Sequence, residues 1–146
     1  MSKLLKLISI SLLGLFLTSG AFAKTEVVYI PKNTGNPYFD SIIKGFEVGA
    51  EKYGYNFSTV APATADATSQ LPFIKAEIQR GVDVIAISPN SNDALNTVFD
   101  QARKKGIIVM VVNGDIPGSE AHRDLAIMPV DFSTVGTAQM TLMGQL

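Results

Sequence analysis

"GVDVIAISPN", residues 81–90, is the stretch on which the fold turns. Val82, Val84, Ile85, Ala86 and Ile87 form an almost unbroken apolar run between a glycine and a Pro-Asn pair. A strand with one wet face alternates apolar and polar residues. A run without alternation predicts a strand covered on both faces, as at the centre of a parallel sheet. Outward from it, residues 26–30 and 107–112 ("IIVMVV") carry the same β-branched chemistry, and residues 56–60 and 125–130 ("LAIMPV") complete a set of five strands.

Helical spacing fills the intervals. Phe39, Ile42, Ile43, Phe46, Ala50 and Tyr53 recur on one face and stop at Gly54. Leu71, Ile74 and Ile78 do the same and stop at Gly81. Leu95, Val98, Phe99 and Ala102 mark a third helix, which Asp93 is expected to cap and Lys104, Lys105 and Gly106 to close; lysines there suit the negative end of the helix dipole. Strand and helix alternate with short loops, which implies an α/β fold: a parallel sheet with helices on both faces, joined by right-handed crossovers.

The amino end reads differently. Lys3 and Lys6 precede an apolar run at residues 7–17, and Ala21-Phe22-Ala23 fits a small-x-small cleavage site. Residues 1–23 therefore read as a secretory signal peptide, with an uncleaved anchor as the alternative, and the mature chain is expected to start at Lys24. A lysine there also leaves no cysteine for a lipid anchor, and the chain has no cysteine at all. The expected compartment is periplasmic, and stability must come from packing rather than disulfides. Without its leader the chain carries 10 basic against 13 acidic residues, a net of −3. That balance argues against nucleic acid as a partner.

In open parallel sheets, chemistry gathers in the loops after the carboxyl ends of the strands. Here those loops are "PKNTGNPYFD" (31–40), "PNSND" (89–93) and "NGDIPGSE" (113–120). They are rich in amides, carboxylates and lysine, a set suited to hydroxyl recognition. No nucleophile elbow, phosphate-cradling glycine loop or metal-ligand cluster is present, so the reading is a binding protein and not an enzyme, with no cofactor and no metal. The one histidine, His122, is expected to be a solvent-exposed loop residue.

The candidate ligand-binding residues are Lys32, Asn36, Tyr38, Phe39, Asn90, Asn113 and Asp115. Each has a plainer reading beside it. Asn36 with Pro37 can cap the first helix, alone or while touching a ligand. Phe39 fits the buried helical face, whereas Tyr38 lies off it and is the better stacking residue. Lys32 can be a solvated loop lysine, Asp115 a turn residue before Pro117-Gly118, and Asn92 a cap for the third helix.

Three segments carry a resemblance: "YIPKNTGNPYFDSIIKGFEVGAEKYGYNF" (29–57), "QRGVDVIAISPNSNDAL" (79–95) and "ARKKGIIVMVVNGD" (102–115). They resemble the amino-terminal, Rossmann-like lobe of type I periplasmic sugar-binding proteins of ABC importers, nearest the rhamnose- and autoinducer-2-binding branch of the ribose-binding superfamily. The resemblance implies that Asn36, Tyr38 and Phe39 supply an amide and stacked aromatics to a sugar ring. The aspartate-arginine pair of ribose-type members falls on Asn113-Gly114, which places ribose itself in doubt. Lys32 and Asp115 match the lysine and aspartate of autoinducer-2 receptors and are compatible with rhamnose-type ones. A deoxyhexose such as rhamnose is favoured, with autoinducer-2 second.

The resemblance also implies two-lobed capture, with membrane permease subunits, and a chemoreceptor as a further candidate, reading the closed form. Residues 24–129 would be the amino-terminal lobe without its return strand. Residues 130–146, including "FSTVGTAQMTLMGQL", would be the hinge crossover and the first helix of a second lobe. Two other classes share such a sheet. A sugar-responsive transcription regulator would have a DNA-binding helix-turn-helix where the export signal stands. A flavodoxin-like enzyme or response regulator would show a phosphate loop or an acidic phosphoacceptor cluster.

Overall fold

The computed structural model describes residues 23–91, 93–114, 118–128 and 132–145. Five parallel strands form one sheet: β1 (Glu26–Ile30), β2 (Asn56–Thr59), β3 (Val84–Ile87), β4 (Ile108–Val112) and β5 (Leu125–Ile127). Their spatial order is β2-β1-β3-β4-β5. Val27 stands beside Phe57 on one side and Val84 on the other, and Val84 beside Ile108. The strand at residues 84–87 is thus the centre of the sheet, as its unbroken apolar run predicts. Leu125–Ile127 is shorter than the expected 125–130, of which Pro129 and Val130 lie outside the described residues.

Local chemistry explains the helices. In α1 (Pro37–Tyr53), Asn36 Oδ1 accepts the Tyr38 N–H at 3.1 Å and Pro37 takes the first position, where its missing N–H costs nothing. Gly54 ends that helix at φ 73°, a left-handed turn that lets its N–H and that of Tyr55 cap the last carbonyls. Helix α2 (Leu71–Arg80) ends the same way at Gly81. Helix α3 (Asn96–Lys104) corrects one expectation: Asp93 does not cap it. The Ser91 hydroxyl instead accepts the Asp93 and Ala94 N–H groups at 3.3 and 3.1 Å, closing a separate turn, and the helix starts beyond Leu95. Leu95 is fully buried, so the chain must turn inward there before winding; that packing overrides the capping preference of the aspartate. Asn92, the other candidate cap, lies outside the described residues.

The two faces of the sheet are dressed unequally. On one, Val28, Ile30, Ile85, Ile87, Val109 and Val111 meet Ile74 and Ile78 of α2 and Val98, Phe99 and Ala102 of α3. On the other, Tyr29, Ala86 and Val112 meet Phe39, Ile42, Ile43 and Phe46 of α1. Tyr29, Phe46 and Phe57 stack in a row, with ring centroids 5.0 and 5.5 Å apart. Beside α1 an open apolar groove of about 450 Å³ is lined by Val84, Met110, Val112 and Ile127, among others. Helix α4 (Phe132–Met143) is exposed along nearly all its length, with Val135, Met140, Leu142 and Met143 facing outward. Among the described residues no helix is long and apolar enough to cross a membrane.

Gly45 and Gly49 of α1 border that groove, and a Cβ built on either meets nothing within 4 Å. Glycine inside a helix is less favourable than alanine by about 1 kcal/mol, so Gly45→Ala and Gly49→Ala should each stabilise this chain by ~0.5–1 kcal/mol in urea unfolding. A loss of stability at either position would show that another element packs against this face.

Candidate functional site

The strand order reverses direction at β1 and β3. The chain leaves β1 into α1 on one face and proceeds from β3 into α3 on the other, so their carboxyl ends part at a crevice. Its floor is polar and buried. Ser88, directly after β3, donates its N–H to the Ile30 carbonyl and its hydroxyl to the Val112 carbonyl, each at 3.0 Å. The Tyr29 hydroxyl lies 2.8 Å from the same Ser88 Oγ. One serine therefore ties the ends of β1, β3 and β4. Burial pushes the Tyr29 hydroxyl above the ordinary tyrosine value, so it stays a neutral phenol through the physiological range.

Gln70, just before α2, enters from the side and is fully buried. Its Nε2 donates to the Pro31 carbonyl at 3.0 Å and the Ser88 carbonyl at 2.9 Å, and its Oε1 accepts the Asn90 N–H at 2.9 Å. Asn90 continues the bridge: its Nδ2 donates to the Lys32 carbonyl at 2.8 Å and to Ser69 Oγ at 3.2 Å. Asn90 Oδ1 is buried without a partner among the described residues.

A second bridge crosses from α1 to β4. The Tyr38 hydroxyl donates to Asn113 Oδ1. Asn113 has φ 67°, a left-handed conformation that asparagine tolerates better than most residues, and its N–H donates to Ile127 at 2.9 Å. Tyr38 keeps 53% of its surface exposed, and its ring meets that of Phe39 edge-on with centroids 5.3 Å apart. Phe39 itself is buried in the core.

Six of the seven sequence-derived candidates are described, and all six stand at this edge. Lys32 and Asn90 are joined directly, as are Tyr38 and Asn113, while Asn36 holds the turn into Tyr38. Lys32 makes none of the ion pairs found among the described residues. Asp115 lies outside the described residues. Among the described residues the site is open, and a concavity of about 240 Å³ borders it, lined by Phe39, Asn33, Asn36, Asp40 and Thr59. The wider grooves lie beside α1 and between α2 and α3.

His122 departs from its expected solvent-exposed role. It is half-buried, with Nδ1 2.9 Å from Asp100 Oδ1 of α3. Arg103 reinforces that contact by donating to Asp124 at 2.9 Å and to the Ala121 carbonyl at 2.6 Å, so these groups pin the β4–β5 connection to α3. Among the described residues no group of three or more histidine, aspartate or glutamate side chains could hold a metal.

Gln70, Ser88 and Tyr29 escape the loop-by-loop search because two lie inside or at the end of apolar elements. A signal does exist for Gln70. It precedes Ile74 and Ile78 at helical spacing, which places an amide in phase with the buried stripe of α2.

The geometry at Asn113 gives a direct test. Asn113→Gly keeps the left-handed backbone without strain, whereas Asn113→Ala must hold it with a Cβ and no local side-chain compensation. The alanine variant should be less stable than the glycine variant by ~1 kcal/mol in denaturant unfolding. Equal stabilities would contradict the backbone conformation described.

The comparisons with known proteins converge on one family. The periplasmic binding protein domain matches residues 27–146. The D-allose-binding periplasmic protein of Escherichia coli is 33% identical over 75% of this chain and 36% of its own length. Among solved structures, an ABC transporter solute binding protein from Burkholderia graminis in complex with D-arabinose superposes with TM-score 0.77 and 31% identity, over 83% of this chain and 40% of that one. A solute binding protein from Clostridium phytofermentas with bound L-rhamnose gives 0.76 and 26%, over 83% and 37%. LsrB from Clostridium saccharobutylicum in complex with AI-2 gives 0.73 and 25%, over 80% and 35%. The chain thus spans well under half the length of these proteins. With its parallel sheet, its polar switch-point edge and a match across residues 27–146, the chain belongs to the periplasmic binding protein domain family.

Proposed function

We propose that this chain is the amino-terminal lobe of a periplasmic solute-binding component of an ABC-type sugar importer. The observation that carries the reading is the exposed Tyr38 ring, flanked by Asn36 and Asn113, at the same edge as Lys32 and Asn90. An aromatic face accepts the apolar side of a sugar ring, while amides and an ammonium take its hydroxyls. A relative named for D-allose, and similar solved structures with D-arabinose and L-rhamnose bound, support a sugar as the ligand class.

Such an open edge supplies contacts to one side of a small ligand only. Small-molecule sites ordinarily bury most of the ligand's surface. A second lobe closing over this edge would provide the remainder, and permease subunits, with a chemoreceptor as a further partner, would read the closed form. Residues 24–129 would then form this lobe, lacking a return strand, and residues 130–146 the crossover and the first helix of the second. The exposure of α4 supports that division, since a helix with outward Met140, Leu142 and Met143 has its packing partner elsewhere. An export leader at residues 1–23 fits the periplasmic setting.

Within the sugars, a rhamnose-like deoxyhexose is the favoured ligand. Asn113-Gly114 stands where ribose receptors carry an aspartate-arginine pair, which disfavours ribose. The second reading is an autoinducer-2 receptor. The likeness to LsrB from Clostridium saccharobutylicum favours it. A sensor lobe of a sugar-responsive regulator is the third.

Thermal-shift measurements on the complete two-lobed protein separate these readings. L-rhamnose at a hundred times its dissociation constant should stabilise the protein by ~2.7 kcal/mol, and ribose should be inert. A shift with autoinducer-2 alone would favour the second reading, and no shift with any of the three would sink the specificity. The present chain by itself should show weak or no heat of sugar binding in isothermal titration, and tight binding would refute the two-lobed mechanism.

A further inference from the structure

We propose that Gln70 is a positioning residue of the switch-point site, whose side chain sets the spacing of the β1 and β3 loops and so the placement of Lys32 and Asn90. The sugar reading supplies the consequence of this role, whereas its geometry stands without a ligand.

Gln70 is fully buried, yet it belongs to neither loop. Its amide nitrogen spends both hydrogens on carbonyls from two different strands' ends, Pro31 after β1 and Ser88 after β3. Its amide oxygen takes the N–H of Asn90, two residues further along the β3 loop. Asn90 then grips the Lys32 carbonyl. The path Gln70–Asn90–Lys32 is therefore continuous, and it starts from a helix held in the core by Ile74 and Ile78. Placing the loops from a packed helix is more accurate than letting them hold each other.

The three bonds require an amide in one orientation. A carboxylate of the same size retains the acceptor for Asn90 but cannot donate to Pro31 or Ser88. A methionine has the same length and can do neither. In both cases buried backbone groups lose their partners, and the loops must shift to find water. A role limited to packing would make methionine an acceptable replacement. A role in positioning makes it a poor one, even where the fold survives.

Amide hydrogen exchange in the present chain tests this without any ligand. The N–H of Ser88 bonds to Ile30 in the sheet and serves as an internal reference, while that of Asn90 depends on Gln70. In Gln70→Met the Asn90 amide should exchange at least about tenfold faster relative to Ser88 than in the unaltered chain. General destabilisation accelerates both amides together, so an unchanged ratio overturns the proposal. In the complete two-lobed protein, the L-rhamnose dissociation constant of Gln70→Met, measured well below its melting temperature, should weaken by about tenfold or more. Ile74→Val, a buried methyl deletion in the same helix, should leave that constant within about twofold while lowering the melting temperature. Equal loss of affinity in the two variants overturns the positioning role. If the unaltered two-lobed protein binds none of L-rhamnose, ribose and autoinducer-2, the sugar reading falls. The exchange ratio then decides the role of Gln70 by itself.

Discussion

Where the central strands of a parallel sheet end, their buried backbone groups leave the ladder and must find other partners. At the carboxyl ends of β1 and β3 that demand is met largely by one side-chain amide, from Gln70, which satisfies Pro31, Ser88 and Asn90 at once. Leaving any one of these groups unpaired costs about 1–3 kcal/mol, comparable to a large share of a small domain's net stability. The constraint thus acts on the loops before any ligand does. They can diverge at the surface because their roots are fixed below it.

That arrangement separates two tasks that a single loop would have to combine. Buried groups (Gln70, Ser88 and Tyr29) satisfy one another and the strand ends, and none of them reaches solvent. The exposed groups, Tyr38 above all, are carried on elements whose positions are already set. Asn36 belongs to both layers. It starts α1 by capping, and by doing so aims Tyr38 away from the core face occupied by Phe39. The adjacent aromatic pair is divided by a turn of about 100° along the helix, one ring for the core and one for the surface.

The fold was legible because its signals are local. Unbroken apolar runs, helical spacing, Asn36-Pro37 at a helix start and Gly54 and Gly81 at helix ends each act within a few residues, and the structure uses them as written. Asp93 misleads for the opposite reason: its capping chemistry is local, but burial of Leu95 is not, and burial prevails. The polar carboxyl edge of the sheet was legible from topology, and Lys32, Asn36, Tyr38, Asn90 and Asn113 do stand there. Their pairings were not. Tyr38 meets Asn113 across 75 residues, and Gln70 meets Pro31 across 39, distances over which no sequence pattern extends. His122 is a similar case, since its partner Asp100 lies on a helix that composition alone marks only as charged and amphipathic.

The serine at the root of the site also has a direction. The Val112 carbonyl can only accept, so the Ser88 hydroxyl hydrogen points at it, and the Tyr29 hydroxyl is left with the donor's part. The two oxygens are therefore unequal. Removing the one on Tyr29 merely idles a lone pair of Ser88. Removing the one on Ser88 strands a phenolic hydrogen and a carbonyl together in the dark of the core. The serine hydroxyl therefore holds two partners where the tyrosine hydroxyl holds one, and the cost of losing it is the larger.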